Sequence, residues 1–161
     1  WRDEFYHGTH VAGPIAAKHD GVGVDGVNPT LRIAAINVAS RNGGFFYPEY
    51  IVCGFVWVAE HGISVTNGSY YVDPWKYWLP NDPEQAAGQE AVQRAVDYAT
   101  LKDVINVVAA GNFSTDLDNL PTTDDSAPGG PSRGEKGVSL LNCHYAFDSA
   151  RREFRIRYFY E

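Results

Sequence analysis

Apolar and small residues recur through 8–18 (GTHVAGPIAAK), with Val11, Ala12, Ile15 and Ala16 on one side. That spacing predicts a helix, and its small side chains suit one that sits deep against its neighbours. The stretch 31–38 (LRIAAINV) is a short apolar run of strand length. Pro48 suits a first helical turn, and from it Tyr50, Ile51, Phe55, Val58 and Ala59 keep an apolar stripe as far as His61-Gly62. A strand is expected over 63–67 (ISVTN), then an aromatic loop over 70–82. Asp82-Pro83 supplies an N-cap and a first-turn proline. The helix after it carries Ala87, Ala91, Val92, Ala95, Val96 and Ala99 on one face, and 104–110 (VINVVAA) reads as a buried strand. Residues 114–137 are rich in Asp, Pro, Gly, Ser and Thr and read as loop, and 154–158 alternates like a short strand.

Helices placed between apolar strands imply right-handed crossovers. The expected class is therefore α/β, a mostly parallel sheet with helices on both faces. In such sheets ligands bind beyond the C-terminal ends of the strands. That rule singles out 67–71 and 111–112 before any motif is considered. No internal repeat is visible.

With 161 residues the chain can bury one core, and 44% hydrophobic with 20% charged residues is an ordinary globular profile. A net charge of −7 argues against nucleic acid, whose phosphates require a basic footprint. The charge is uneven: −9 over 1–132 and +2 over 133–161. No apolar run approaches the roughly 20 residues that span a bilayer, and no signal peptide is visible. The chain contains no Met and starts at Trp1, as a mature chain or a piece of one would. Cys53 and Cys143 cannot define a disulfide framework; they are one bridge or two thiols, and Cys53 is expected to pack in the core.

Two stretches carry chemistry. In 7–13 (HGTHVAG), a histidine at a helix start can serve as a general base, and the glycine after it admits a second chain closely. The plain alternative is a pair of surface histidines. A zinc pair would need its histidines four apart with a glutamate beside the first, and here they are three apart with none. In 107–112 (VVAAGN), Asn112 just past a buried strand can aim its amide into the cleft and stabilise an oxyanion. The plain alternative there is a strand-ending Gly-Asn turn. The glycines of 21–26 satisfy GxGxxG, but after a helix and before a strand, the reverse of a dinucleotide site. The sequons at Asn67 and Asn112 fall on cleft residues and are read as chance.

Taken together, HGTHVAG and VVAAGN resemble the histidine box and the oxyanion strand of the subtilisin-like serine proteases, the subtilases. Between them, 25–29 (DGVNP) looks like the family's G-V-A-P turn, and 63–69 matches its I-N-M-S segment loosely. The resemblance covers roughly 1–112. It implies that His7 is the general base of the triad, His10 a structural helix-face histidine, and Asn112 the oxyanion donor. It also implies that Ser69 and Tyr70 belong to the extended segment that pairs with a bound peptide. Tyr70 and Tyr71 depart from the small residues usual there.

The family's chain order is aspartate, histidine, serine. Only six residues precede His7, so Asp3 has no room to be the triad aspartate, and no G-T-S-M-A serine motif occurs. The sequence therefore divides into 1–130, a partial subtilisin-like peptidase domain incomplete at both ends, and 131–161, a divergent tail, frameshifted or disordered. Two functions follow: a piece of a serine endopeptidase, inactive alone, or a non-catalytic remnant that binds peptides or does nothing. The resemblance implies a protein or peptide substrate, a monomeric parent enzyme and secretion. It implies no nucleic-acid or membrane partner. Family members often bind structural calcium; no cofactor site is identifiable from these residues. His7 and Asn112 are expected to face one cleft.

Overall fold

A computed structural model describes residues 3, 6–40, 45–75, 78, 82–109 and 112, and the backbone of 144–148 and 153–157. The elements are α1 (His7–Ala16), α2 (Pro48–Glu60), β1 (Val65–Gly68), α3 (Pro83–Leu101), β2 (Ile105–Val108), β3 (His144–Asp148) and β4 (Glu153–Arg157). The chain divides into two compact units, Trp1–Asn37 and Val38–Glu161.

The first unit is α1 and the chain that returns along it. The last turn of a helix leaves carbonyls without partners. Here the returning backbone supplies donors: Val27 N–H to the Pro14 carbonyl at 2.9 Å, Asn28 N–H to Ile15 at 3.0 Å and Gly26 N–H to Ala17 at 3.0 Å. The predicted helix over 8–18 therefore forms, starting one residue earlier and ending two residues earlier. Residues 31–38 were expected as a strand, but no ladder includes them among the described residues, and Leu31 and Ile33 are exposed. Strand character is conferred by a partner as much as by an apolar run.

In the second unit β1 and β2 pair in parallel, Val65 opposite Ile105 and Gly68 opposite Val108. Parallel neighbours need a long crossover, and α3 provides it. Asp82 caps α3 as expected, its Oδ1 accepting from Glu84 N–H at 2.9 Å. α2 begins at Pro48 and closes with Gly62 in the left-handed region (φ 65°), the conformation that favours glycine after a helix.

The core joins Ile51, Phe55 and Val58 of α2 to Val92, Ala95, Val96 and Ala99 of α3, with Val72, Trp78, Val104 and Val108. On α3 the buried face includes Gln85 and Gln89, while Ala87 and Ala91 are exposed, a rotation from the expected stripe. Cys53 was expected in the core and is an exposed free thiol. It lies about 200° round the helix from buried Ile51, on the opposite side of α2. The sheet is covered on the face of Asn106 and Val108; Val65 and Ile105 remain 54% and 60% exposed.

One buried amide ties three elements. Asn106 Oδ1 accepts from Thr66 Oγ1 at 2.8 Å, and its Nδ2 donates to Thr100 Oγ1 at 3.3 Å. Thr100 Oγ1 donates in turn to the Val96 carbonyl at 2.9 Å. In the tail, β3 and β4 pair antiparallel, His144 opposite Arg157; β4 takes in most of the predicted 154–158 strand. The expected loop over 114–137 and Cys143 lie outside the described residues.

Trp78 is 1% exposed and donates from Nε1 to the Val72 carbonyl at 3.0 Å. Its ring rests on α3 at Gly88, where an added Cβ would stand 2.8 Å from Trp78 Cζ3 and 3.4 Å from Pro48 Cγ. Gly to Ala in an open helix interior stabilises by about 1 kcal/mol. At Gly88 the sign reverses: Gly88→Ala is expected to destabilise by about 1–3 kcal/mol. Urea unfolding followed by tryptophan fluorescence checks this.

Candidate active site

His7 is the first residue of α1 and is exposed; His10, one turn on, is exposed too. The N-cap position is held by Tyr6, in the left-handed conformation (φ 58°, ψ −2°) with no side-chain cap of its own. For a residue with a Cβ that conformation costs about 1–2 kcal/mol. The capping bonds come instead from Asp3, whose Oδ2 accepts from Thr9 N–H at 2.7 Å and from Thr9 Oγ1 at 2.6 Å. The sequence considered Asp3 only as a triad aspartate and missed this contact. Its legible signal is an acidic residue shortly before a helix start whose own N-cap is a poor acceptor.

The loop after α1 is set by backbone geometry. Gly21 (φ 76°) and Gly23 (φ 74°) are left-handed, and His19 Nε2 lies 2.8 Å from the Gly26 carbonyl. The GxGxxG glycines thus form a loop closing on the end of α1 and open no helix. Gly26 approaches that end so closely that a Cβ would stand 2.2 Å from Ala17 N.

The second unit carries Ser69, Tyr70 and Asn112. Ser69 follows β1 directly, and Asn112, exposed, stands four residues beyond β2. Because the strands are parallel and Ala109 N–H donates to the Gly68 carbonyl at 3.0 Å, both chains leave the sheet at one end. His7 belongs to the first unit. Ser69 Oγ accepts from Asn67 Nδ2 at 3.0 Å. The Tyr70 ring turns back, stacked on Phe46 at 4.7 Å and 8° between planes. Burial pushes the Tyr70 phenol up to about 12.

Residues 45–47 lie beside this segment. Phe46 N–H donates to Asp73 Oδ2 at 2.7 Å, and Asp73 N–H donates to the Phe46 carbonyl at 2.9 Å. Asp73 is buried and was not singled out from sequence. The rings of Phe45 and Tyr47 stack at 5.8 Å, and Tyr47 meets Tyr50 at 6.5 Å. Among the described residues, no three His, Cys, Asp or Glu side chains group closely enough to hold a metal ion. No described helix is long and apolar enough to cross a membrane.

The family model described as the Subtilase family matches residues 2–136. Fervidolysin of Fervidobacterium pennivorans is 36% identical over 115 residues, 68% of this chain and 15% of its own length. Subtilisin DY of Bacillus licheniformis is 37% identical over 106 residues, 66% of this chain and 34% of its own length. The minor extracellular protease Epr of Bacillus subtilis (strain 168) is 29% identical over 163 residues, 92% of this chain and 24% of its own length. The chain thus spans about a third or less of each of these relatives. No solved structure matches it.

Gly26→Ala is expected to cost more than about 2 kcal/mol, because the obstacle is backbone rather than a movable side chain. Gly13→Ala, whose Cβ would stand 3.8 Å from Val24 Cγ2, is expected to be tolerated. Amide exchange across α1 separates the two, with protection lost only in Gly26→Ala.

Tyr70 also predicts a pH dependence. Its folded pKa lies above the ordinary tyrosine value of 10.0. Between pH 10 and 12 the unfolded chain releases this proton and the folded chain keeps it. The stability is therefore fully present below pH 10 and lost as pH rises towards 12. The loss is roughly 2–3 kcal/mol. Urea midpoints of Tyr70→Phe, compared with the unsubstituted chain across this window, are expected to fall less steeply with pH.

Proposed function

We propose that this chain, which belongs to the subtilase family, supplies part of the active site of a secreted serine endopeptidase that works through an Asp-His-Ser triad. The observation that carries the reading is the family match over residues 2–136, a range that includes 7–13 and 107–112. His7 is the general base. It takes the proton of a serine hydroxyl as that oxygen attacks the scissile carbonyl, and returns it to the leaving amine. Asn112 donates to the oxyanion that forms. Acting on one carbonyl requires both groups to meet at one cleft.

The peptide lies along 69–70, added as a strand to an exposed edge. Ser69 and Tyr70 offer their main chain to it, because the Tyr70 ring is committed to Phe46 and the Ser69 hydroxyl is engaged by Asn67. The substrate is a protein or peptide. The serine nucleophile is not among these residues in its family motif, so the 161-residue chain alone does not turn over substrate.

Casein hydrolysis and labelling by a fluorophosphonate test this. The full-length protein that carries this chain is expected to hydrolyse casein and label stoichiometrically, and the isolated chain to do neither. In the full-length protein, His7→Ala is expected to abolish turnover. Asn112→Ala is expected to lower kcat roughly 100- to 1,000-fold, the usual loss of one oxyanion donor, with little change in KM. Turnover and labelling by the isolated chain, or a loss confined to KM in Asn112→Ala, overturns the assignment.

A further inference from the structure

We propose that Asp3 is a positioning residue for His7, a role that rests on the reading of His7 as the general base. The first turn of a helix presents backbone N–H groups with no partner inside the helix, and a polar N-cap side chain normally accepts one of them. α1 has Tyr6 at that position and no side-chain acceptor from it. The acceptor comes from three residues further back. One carboxylate oxygen of Asp3 takes both the N–H and the hydroxyl hydrogen of Thr9, at 2.7 and 2.6 Å. The carboxylate lies against the bare backbone of Gly8, where even a Cβ would stand 3.7 Å from it. Negative charge at this end of a helix is favoured by the helix dipole as well.

These bonds close a loop. Residue 3 is fastened to residue 9, and Tyr6 and His7 lie between the fastened points. The first helical turn is closed by His10 N–H donating to the Tyr6 carbonyl at 3.0 Å. Tyr6 is held left-handed although it has a Cβ, and the residue is 77% exposed, so burial of its ring does not hold it there. The Asp3–Thr9 clamp ties the chain before Tyr6 to the helix after it, a span that the His10–Tyr6 bond does not reach. The backbone angles of Tyr6 fix the direction from which the chain enters α1 at His7, and so the corner from which the imidazole projects. A general base displaced by about 1 Å can lose a hundredfold in rate with binding intact. Asp3 therefore acts on the reaction through the placement of His7.

Two readouts test the proposal. In the 161-residue chain, backbone 15N order parameters at Tyr6, His7 and Gly8 are expected near 0.85, and below about 0.6 in Asp3→Ala, with α3 unchanged. Asp3→Asn, which keeps an acceptor oxygen, is expected to restore most of the order. In the full-length protein, with active sites counted by endpoint fluorophosphonate labelling, Asp3→Ala is expected to lower kcat per labelled site about 10- to 100-fold. KM should stay within about twofold, and Asp3→Asn should recover most of the rate. Unchanged order parameters in Asp3→Ala overturn the proposal. So does an unchanged kcat per labelled site, even if fewer sites are labelled, because Asp3 would then support folding alone. If full-length His7→Ala turns over as fast as the unsubstituted protein, the reading of His7 fails, and the relaxation data still decide whether Asp3 holds the turn.

Discussion

Val65 pairs with Ile105 in parallel, and two parallel strands cannot be joined by a tight turn. The chain leaving β1 at Gly68 must travel back along the sheet before β2 can begin. α3 makes that journey, and the described packing around β1 and β2 follows from it. α2 packs on α3, and Trp78 fills the space over Gly88. Asn106 then fixes the stack from inside, with one amide bonded to Thr66 on β1 and Thr100 on α3. A buried amide left without partners would be costly, so this pairing disfavours any slipped register of the two strands. The same parallel direction sends the chains after Gly68 and Val108 out at one end. The location of the 69–70 edge beside the approach to Asn112 is thus a consequence of topology.

The fold was legible where periodicity and end signals agreed. Pro48 and Gly62 bracket α2, and Asp82-Pro83 opens α3, because each solves a backbone problem that any helix terminus has. The pattern was misleading where it counted apolar residues without a partner in view. Residues 31–38 are as apolar as a strand needs, but no partner pairs with them among the described residues. Cys53 has an apolar side chain, but burial on α2 is decided by the stripe of Ile51, Gly54, Phe55 and Val58, and Cys53 is opposite it. Gln85 and Gln89 replace Ala87 and Ala91 in the buried face of α3. The buried position follows the rotation of the helix rather than polarity, and Gln85 reaches Asp82 Oδ2 at 3.4 Å.

The candidate site was legible in a different way. His7 and Asn112 stood out through two short motifs whose order and spacing resemble one family, and the family match extends over both. What the motifs did not contain is the support around them. Asp73 holds Phe46 by two hydrogen bonds across 27 positions, and Tyr70 folds onto Phe46. No local pattern marks such contacts, because they are made by distant residues and depend on the chain path. The departure of Tyr70 from the small residues usual at that place has a physical meaning. Its ring occupies volume beside Gly68 that a smaller residue would leave open, and its phenol is held neutral by burial.

Both halves of the histidine helix are held from outside it. At the N-terminal end a carboxylate from Asp3 substitutes for the N-cap that Tyr6 lacks. At the C-terminal end, backbone N–H groups of 26–28 answer the carbonyls of Pro14, Ile15 and Ala17. Pro14 inside the helix adds to the need, since it removes one internal donor and crowds the carbonyl four residues back. A ten-residue helix is marginal alone in water. Its persistence here therefore depends on these end contacts. The glycine of the DGVNP turn is fixed by the same requirement: only a residue without Cβ lets the returning strand of backbone reach the helix end. The motif at 25–29 and the motif at 7–13 are therefore two parts of one structural device, and its exposed product is the imidazole of His7.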